Sequence, residues 1–135
     1  MHLDGSVAAI VTGGASGLGE ATARALAATG VRVTIFDTDA ARGRTVASQI
    51  GGLYEPVDVT ADATVERGYA AARAAFGQER ILVNCAGILA AAKTIRRDRD
   101  TGAITAFPMV LFERVLQINL CGAFRCLTRS AAGMA

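Results

Sequence analysis

Short apolar runs alternate with longer amphipathic segments over the first two thirds of the chain. Four runs are rich in β-branched residues and have the length of strands buried on both faces: 7–11, 31–37, 53–57 and 81–83. Three segments with helical spacing separate them, at about 17–29, 40–50 and 63–76. This alternation predicts an α/β fold with a doubly wound parallel sheet, and right-handed crossovers give the strand order 3-2-1-4.

Individual residues refine three of these elements. Gly43 falls inside the second helix and is expected to interrupt it. Thr60 and Asp62 precede the third helix, and either side chain is suitable for its N-cap. Pro56 has no backbone N–H to donate, so we expect the third strand to lie at an edge of the sheet.

The fourth strand would be the opposite edge, and it is wholly apolar. An exposed apolar edge strand promotes aggregation or swapping. We therefore expect the sheet to be incomplete, with its later strands absent from residues 1–135. A longer polypeptide or another chain would supply them.

The last third of the chain is predicted to contain one long loop and one helix. The loop extends from 88 to about 107. The helix extends over about 108–131, and its apolar stripe includes one amide, Asn119. A buried amide must be satisfied, so Asn119 either pins the helix to a neighbouring backbone or takes part in chemistry. The stripe consists of Phe112, Val115, Leu116, Leu120, Ala123, Phe124 and Leu127, and Val110, Leu111 and Ile118 form another apolar flank.

The turn after the first strand has the pattern Thr12-Gly13-x-x-x-Gly17-x-Gly19. Glycines permit a sharp turn, and the backbone N–H groups that open the following helix attract an anion. We therefore predict a Rossmann-type site for the pyrophosphate of a dinucleotide. A glycine-rich loop that binds nothing is the alternative. The expected cofactor contacts are Gly13, Ser16, Gly17, Leu18 and Gly19.

Asp37 ends the second strand, eighteen positions after Gly19. In dinucleotide sites a carboxylate about 20 residues beyond the glycines accepts hydrogen bonds from the adenosine ribose of NAD. The 2′-phosphate of NADP would instead meet the negative charge of Asp37, and the neighbouring Ser16 and Thr38 are not basic. Asp37 therefore predicts NAD as the cofactor. The alternative is that Asp37 only caps the next helix.

Composition argues against several classes of partner. The 135 residues are 52% hydrophobic and 19% charged, which is typical of one globular domain. The net charge is +2 and the positive residues are dispersed except in one loop, so we expect neither a nucleic-acid nor a membrane partner. Three cysteines without CxxC spacing and an N-terminus without a secretory signal indicate a reduced, cytoplasmic protein. We expect no metal site.

These motifs, in this order, resemble the short-chain dehydrogenase/reductase family over nearly the whole chain. Asp58 and Val59, after the third strand, match an aspartate and an apolar neighbour that contact the adenine ring in the family. Asn84-Cys85-Ala86-Gly87 matches the family's Asn-Asn-Ala-Gly, whose small residues admit the nicotinamide ribose, except at Cys85. A cysteine there is similar to the branch of type II 3-hydroxyacyl-CoA dehydrogenases. The alternative role of Cys85 is that of a small buried hydrophobic side chain.

The resemblance implies NAD-dependent hydride transfer between a secondary alcohol and a ketone, with a 3-hydroxyacyl-CoA or a hydroxysteroid as substrate. Asn119-Leu120-Cys121-Gly122 matches the motif whose asparagine belongs to the family's catalytic tetrad and holds a water in the proton relay. The same helix forms a dimer contact in the family, which implies a homo-oligomer, and the flank of Val110, Leu111 and Ile118 is consistent with that contact. Four cations of the loop would meet the phosphates of CoA, unless the loop is merely solvated: Lys93, Arg96, Arg97 and Arg99.

The other tetrad members are a serine, a tyrosine and a lysine four residues after the tyrosine, and they have no match here. Tyr69 is followed four positions later by Arg73, and it lies before the fourth strand rather than after the Asn119 helix. We therefore interpret residues 1–135 as the N-terminal dinucleotide-binding part of a single-domain enzyme, inactive alone. A catalytically silent NAD-binding or interaction module is the alternative.

Overall fold

The computed structural model describes residues 2–135. Four parallel strands form the main sheet: β1 (Ala8–Thr12), β2 (Arg32–Asp37), β3 (Leu53–Pro56) and β4 (Ile81–Asn84). Three helices connect them: α1 (Gly17–Ala28), α2 (Ala40–Ile50) and α3 (Asp62–Phe76). A hairpin of β5 (Ile95–Arg97) and β6 (Ile104–Ala106) follows. The chain then forms α4 (Met109–Leu116), a π-helical segment (Gln117–Gly122) and α5 (Ala123–Met134).

The main sheet has the order β3-β2-β1-β4, which confirms the predicted 3-2-1-4 arrangement. In the register of β1, Val11 lies opposite Ile35 of β2 and Val83 of β4. All five residues of β1 are buried, because this strand has a neighbour on each side and helices on both faces. Pro56 lies in the edge strand β3, as expected.

Two apolar clusters cover the two faces of the sheet. Alternate residues of a strand point to opposite faces, so Val11 joins one cluster and Ile10 joins the other. The Val11 cluster includes Ala23 of α1 and Val46 of α2. The Ile10 cluster includes Phe36, Val57, Val65, Tyr69 and Cys126, and therefore joins α3 and α5 to the sheet.

Two local expectations about the helices are wrong. Gly43 does not interrupt α2, which is continuous from Ala40 to Ile50. A Cβ at Gly43 would overlap the ring of Tyr54, so this glycine allows α2 to pack closely on β3. The N-cap of α3 is Ala61, without a side-chain cap. Thr60 instead donates to the carboxylate of Asp58, with its N–H at 2.9 Å and its hydroxyl at 2.7 Å.

The segment predicted as one long loop contains the antiparallel β5–β6 hairpin. Its three-residue strands are too short for apolar alternation to be visible in the sequence. The turn is organised by Asp98, whose Oδ1 accepts from the N–H groups of Asp100 at 3.0 Å and Thr101 at 2.8 Å. Local hydrogen bonding by the aspartate side chain therefore closes the hairpin.

The last helix turns a different face to the sheet from the predicted one. The small residues Gly122, Cys126 and Ser130 are buried, whereas Leu120 is 62% and Phe124 is 63% exposed. Ile118, expected on the outer flank, packs against the second cluster. The π-helical segment changes the hydrogen-bonding step from four residues to five, so a uniform helical period misassigns the faces. No helix within residues 2–135 is long and apolar enough to cross a membrane.

A buried charge network joins α3 to α5. Glu79 is 1% exposed, and its carboxylate accepts two hydrogen bonds from the guanidinium of Arg73, at 3.0 and 2.8 Å. Ser130 Oγ donates to the same carboxylate at 3.0 Å and lies 3.0 Å from the hydroxyl of Tyr69. Burial opposes ionisation of Glu79, but the hydrogen bonds from Arg73 and Ser130 outweigh it and lower the pKa.

Replacing Glu79 by Gln is expected to lower the free energy of unfolding of the complete protein by about 1–3 kcal/mol at neutral pH. The folded-state pKa is lowered, so the carboxylate stabilises the fold above its ordinary pKa of 4.5 and loses this effect as the pH falls. The difference between Glu79→Gln and the unchanged protein should shrink below about pH 4.5, measured by thermal or urea unfolding followed by circular dichroism.

The matched control is Glu66→Gln, which removes the more exposed α3–α5 ion pair with Arg129. Exposed pairs contribute little, so the expected change is under about 1 kcal/mol. Equal losses from the two substitutions would contradict the importance of the buried network.

Candidate dinucleotide-binding site

A cleft of about 510 Å³ lies at the carboxyl ends of the parallel strands. Strand ends that meet at the switch point of such a sheet are the usual place for a ligand. Most of the residues expected to bind the cofactor lie in its walls. They are Gly13, Ser16, Gly17, Leu18, Gly19, Asp37, Asp58, Val59, Cys85, Ala86 and Gly87.

The start of α1 provides the part of the cleft suited to an anion. Ser16, at the N-cap, makes no side-chain capping hydrogen bond. Gly17 has a φ of +53°, and a Cβ there would meet no atom within 4 Å. The helix therefore begins at open space, with its first amide groups available to a phosphate.

Two further glycines bring backbone segments into direct contact behind this opening. Gly13 has a φ of +65°, and a Cβ there would lie 2.7 Å from the backbone N of Ala86. A Cβ at Gly19 would overlap the carbonyl oxygen of Gly13. The turn, the start of α1 and the segment after β4 can pack together only because these side chains are absent.

Asp37 lies at the rim of the cleft, and two backbone amides fix its carboxylate. Oδ2 accepts from the N–H of Ala15 at 3.0 Å, and Oδ1 accepts from the N–H of Asp39 at 2.9 Å. The helix-capping alternative for Asp37 is wrong, because Asp39 caps α2 by accepting from the N–H of Arg42 at 3.0 Å. Each carboxylate oxygen of Asp37 retains acceptor capacity toward the cleft.

Thr12, the first residue of the predicted turn pattern, is a positioning residue: it supports the segment after β4 rather than lining the cleft. It is fully buried at the end of β1, and its hydroxyl accepts from the N–H groups of Cys85 at 3.2 Å and Ala86 at 3.1 Å. Asn84, expected at the cofactor, does not line the cleft. Its Oδ1 lies 3.4 Å from the Thr12 hydroxyl, and its amide donates to the carbonyl of Ala123 at 3.2 Å. A threonine that ends a fully buried strand is the available sequence signal, because its hydroxyl needs a partner.

Asn119 holds the backbone on the far side of the cleft. Its Oδ1 accepts from the N–H of Ile88 and its amide donates to the carbonyl of Ile88, both at 2.9 Å. The residue lies in the π-helical segment and is exposed, so the predicted burial of its amide is wrong. Within this chain, Asn119 pins the helix to a neighbouring backbone. Its role in a proton relay stays a prediction.

Six residues of the cleft are not among the predicted cofactor contacts: Phe36, Thr38, Val57, Ile88, Arg114 and Ile118. Arg114 and Ile118 come from the last helix, and only the tertiary fold brings that helix to the cleft. The two tyrosines do not line it. Tyr69 is buried, its hydroxyl donates to the carbonyl of Cys126 at 2.8 Å, and burial raises its pKa. Tyr54 donates to the carbonyl of Asp37 at 3.0 Å.

Within residues 2–135 no group of three or more histidine, cysteine or carboxylate side chains is placed to hold a metal ion. The three cysteines are free thiols. Cys85 is half-buried in the wall of the cleft, and burial raises the pKa of Cys126 to about 11.

Comparison with known proteins agrees with this architecture. A curated 3-hydroxyacyl-CoA dehydrogenase type-2 from Drosophila melanogaster is 39% identical over 127 residues, which cover 93% of this chain and 48% of the relative. The crystal structure of a 3-ketoacyl-(acyl-carrier-protein) reductase from Brucella melitensis complexed with NADH matches with a TM-score of 0.79 and 31% identity. That match covers 94% of this chain and 49% of the reductase.

A short-chain dehydrogenase/reductase from Serratia marcescens matches with a TM-score of 0.83 and 27% identity, over 99% of this chain and 53% of that one. The chain thus spans about half the length of the relatives it matches. The family model described as short chain dehydrogenase matches residues 7–135. Sequence, fold and cleft agree, and the chain belongs to the short-chain dehydrogenase family.

Proposed function

We propose that the complete protein is an NAD-dependent oxidoreductase that transfers a hydride between a secondary alcohol and a ketone. The observation that carries this proposal is the carboxylate of Asp37, fixed by the amides of Ala15 and Asp39 at the rim of the cleft. A carboxylate held in this way accepts hydrogen bonds from the two hydroxyls of a ribose. The relative named as a dehydrogenase and the related structure with NADH support a nicotinamide cofactor.

The residues of the cleft fit the two phosphates and the adenosine of NAD. The uncapped start of α1 and the open space before Gly17 suit a pyrophosphate. Asp58 and Val59 line the part of the cleft assigned to the adenine ring. On the opposite side, Cys85, Ala86 and Gly87 leave room for the nicotinamide ribose, with Asn84 supporting the wall from behind. Bound NAD supplies the hydride acceptor.

Charge favours NAD over NADP. A 2′-phosphate would be brought beside the carboxylate of Asp37, and like charges at contact distance repel. Thr38 is the next residue in the wall and provides no compensating positive charge.

The catalytic contribution of this chain is assigned to Asn119. Its side chain holds Ile88 on the nicotinamide side, and it lies in a π-helical segment, a distortion that is frequent at functional sites. The serine, tyrosine and lysine of the family tetrad are assigned to residues outside 1–135. The chain alone is therefore expected to be inactive, because the tyrosines it contains have their hydroxyls bound within the fold.

The β5–β6 hairpin supports a 3-hydroxyacyl-CoA as the substrate class, with a hydroxysteroid as the other candidate. Four cations, one just before the hairpin and three within it, are exposed, and within residues 2–135 none forms an ion pair. Asp98 is occupied by the amides of its own turn, and Asp100, on the other side of Arg99, pairs with no cation of the described residues. The cations are therefore free to meet the phosphates of CoA. They are Lys93, Arg96, Arg97 and Arg99.

The last helix is the proposed homo-oligomer contact, through its exposed stripe rather than through the flank of Val110, Leu111 and Ile118, because Ile118 packs against the second apolar cluster. Its large apolar side chains form an exposed stripe: Phe112, Leu116, Leu120, Phe124 and Leu127. A contiguous apolar helix face of this kind favours burial against a symmetry-related copy. A cytoplasmic location is proposed from the three free thiols, which suit a reducing compartment.

Asp37→Asn is expected to raise the Kd of the complete protein for NAD by about ten- to a hundredfold, since hydrogen bonds to a charged acceptor are lost. The Kd for NADP should fall or stay unchanged, because the repulsive charge is gone. Calorimetric titration with NAD and with NADP measures the ratio of the two Kd values. The control is Asp39→Asn, which changes the neighbouring helix cap. A preference for NADP in the unchanged protein would contradict the proposal.

Joint replacement of Arg96 and Arg97 by Gln is expected to raise KM for a 3-hydroxyacyl-CoA by about three- to tenfold. KM for the same acyl chain on a truncated thioester without phosphates should not change. The control replaces Arg44 and Arg67, two exposed arginines elsewhere, by Gln. The CoA role would be ruled out if KM rose equally for both substrates, or equally in both double variants. Turnover of a hydroxysteroid but of no acyl-CoA would favour the other substrate class.

Phe124→Lys is expected to dissociate the oligomer, because a charge would be buried in the proposed apolar contact. Sedimentation velocity at micromolar concentration measures the change in mass. Val110→Lys is the control, since Val110 is equally apolar and 72% exposed on the other flank. Dissociation by Val110→Lys but not by Phe124→Lys would contradict the proposal, because it would place the contact on the other flank of the helix.

A further inference from the structure

The loop between β3 and α3, residues 57–61, forms the proposed adenine side of the cleft and is held mainly by local contacts. The hydroxyl of Thr64 donates to the carbonyl of Asp58 at 2.6 Å and accepts from its N–H at 3.1 Å. Asp58 accepts in turn from Thr60. These bonds fix the loop to itself and to the first turn of α3, and they do not fix it to the rest of the molecule.

At the start of the loop, the N–H of Val57 donates to the carbonyl of Asp37 at 3.2 Å. Beyond Val57, Arg125 of α5 provides the connection. Its Nη1 donates to the carbonyl of Val59 at 2.6 Å, and its Nε donates to Oδ1 of Asp62 at 2.6 Å. Within the described residues, the bond from Arg125 to the carbonyl of Val59 is the one hydrogen bond that joins residues 58–61 to an element other than α3. The side chain of Arg125 is only 21% exposed, so the planar guanidinium holds two partners in a partly desolvated position.

Apolar packing also fixes the position of the loop against α5. Gly122 lies one turn before Arg125, and a Cβ at this glycine would be 2.5 Å from Cγ2 of Val59 and 3.3 Å from its carbonyl oxygen. Val59 is itself buried in the second apolar cluster. The backbone of Val59 is thus in contact with the helix on one side and bound by Arg125 on the next turn.

The helix therefore holds both sides of the cleft. Asn119 binds the backbone of Ile88 on the nicotinamide side, and Arg125 binds the backbone of Val59 on the adenine side. Because both residues belong to one continuous helical element, the helix sets the separation between the two walls.

We propose that Arg125 is a positioning residue for cofactor binding, which fixes the Val59 loop so that the adenine half of a dinucleotide finds a preformed wall. The guanidinium acts through the loop and does not itself touch the cofactor. This inference rests on the proposed function, since it assumes that the cleft takes an adenine dinucleotide. It assigns to one arginine of α5 a role that neither the glycine turn nor Asp37 performs.

The test compares Arg125→Met with Arg129→Met in the complete protein. Both substitutions remove an ion pair between α5 and α3, but Arg129 pairs with Glu66 and does not contact the loop. Arg125→Met is expected to raise the Kd for NAD and for 5′-AMP by the same factor, about three- to tenfold, because both ligands carry the adenosine that the loop receives. Arg129→Met should leave both constants unchanged.

Hydrogen exchange measured by mass spectrometry gives an independent readout. Peptides covering residues 57–62 should exchange several-fold faster in Arg125→Met only, while peptides covering 84–90 should keep their rates. Arg125→Lys preserves the charge and can keep one of the two bonds, so its Kd values should be intermediate. If the methionine variant does not fold, Arg125→Lys compared with Arg129→Lys decides the question.

The inference is overturned if Arg125→Met binds NAD and 5′-AMP normally, if Arg129→Met weakens them equally, or if the Kd for NAD rises without a rise for 5′-AMP. Failure of the unchanged protein to bind NAD would instead overturn the proposed function. NAD binding that depends on Asp37 but not on Arg125 would retain the proposed function and remove only the role of the arginine.

Discussion

The structure depends on a backbone contact that only glycine permits. The α-carbon of Gly13 faces the peptide between Cys85 and Ala86, and Gly19 faces the carbonyl of Gly13. A methyl group at either position would overlap backbone atoms, which cannot move as a flexible side chain can. This close approach brings the turn after β1, the start of α1 and the segment after β4 together. This part of the cleft wall is therefore formed by closely packed main chain.

The same turn links the start of α1, the proposed phosphate site, to Asp37, the proposed determinant of cofactor selectivity. Ala15 lies between the glycines, and its N–H holds Oδ2 of Asp37 at 3.0 Å. The carboxylate and the helix start are thus parts of one hydrogen-bonded unit, and neither can shift without the other. A dinucleotide needs its phosphates and its ribose to be recognised at a fixed separation, and this hydrogen bond suits the cofactor proposed above.

The last helix stabilises the walls of the cleft by polar contacts and places its large apolar residues elsewhere. Asn84 donates to the carbonyl of Ala123, Asn119 binds Ile88, and Arg125 binds Val59. Small residues at Gly122 and Cys126 allow the helix to approach the sheet closely. Leu120 and Phe124 then point away from the sheet into solvent. Site support and the proposed subunit contact therefore use opposite sides of one element.

The sequence alone determined the strand order, the glycine turn and the location of Asp37, because these follow from local patterns. Apolar runs, glycine spacing and crossover handedness act over a few residues or along one connection. The tertiary structure decided which face of the last helix is buried, that Asp39 rather than Asp37 caps α2, that Arg114 lines the cleft, and that Arg125 binds the loop after β3. It also decided that a hairpin forms between residues 95 and 106. The contacts of Arg114 and Arg125 join residues distant in sequence, and the buried face of the last helix depends on a change of helical step at residues 117–122, so neither leaves a periodic signal in the chain. The Asp39 cap and the hairpin are local, but they rest on single polar side chains and three-residue strands, which are too short to show an apolar period.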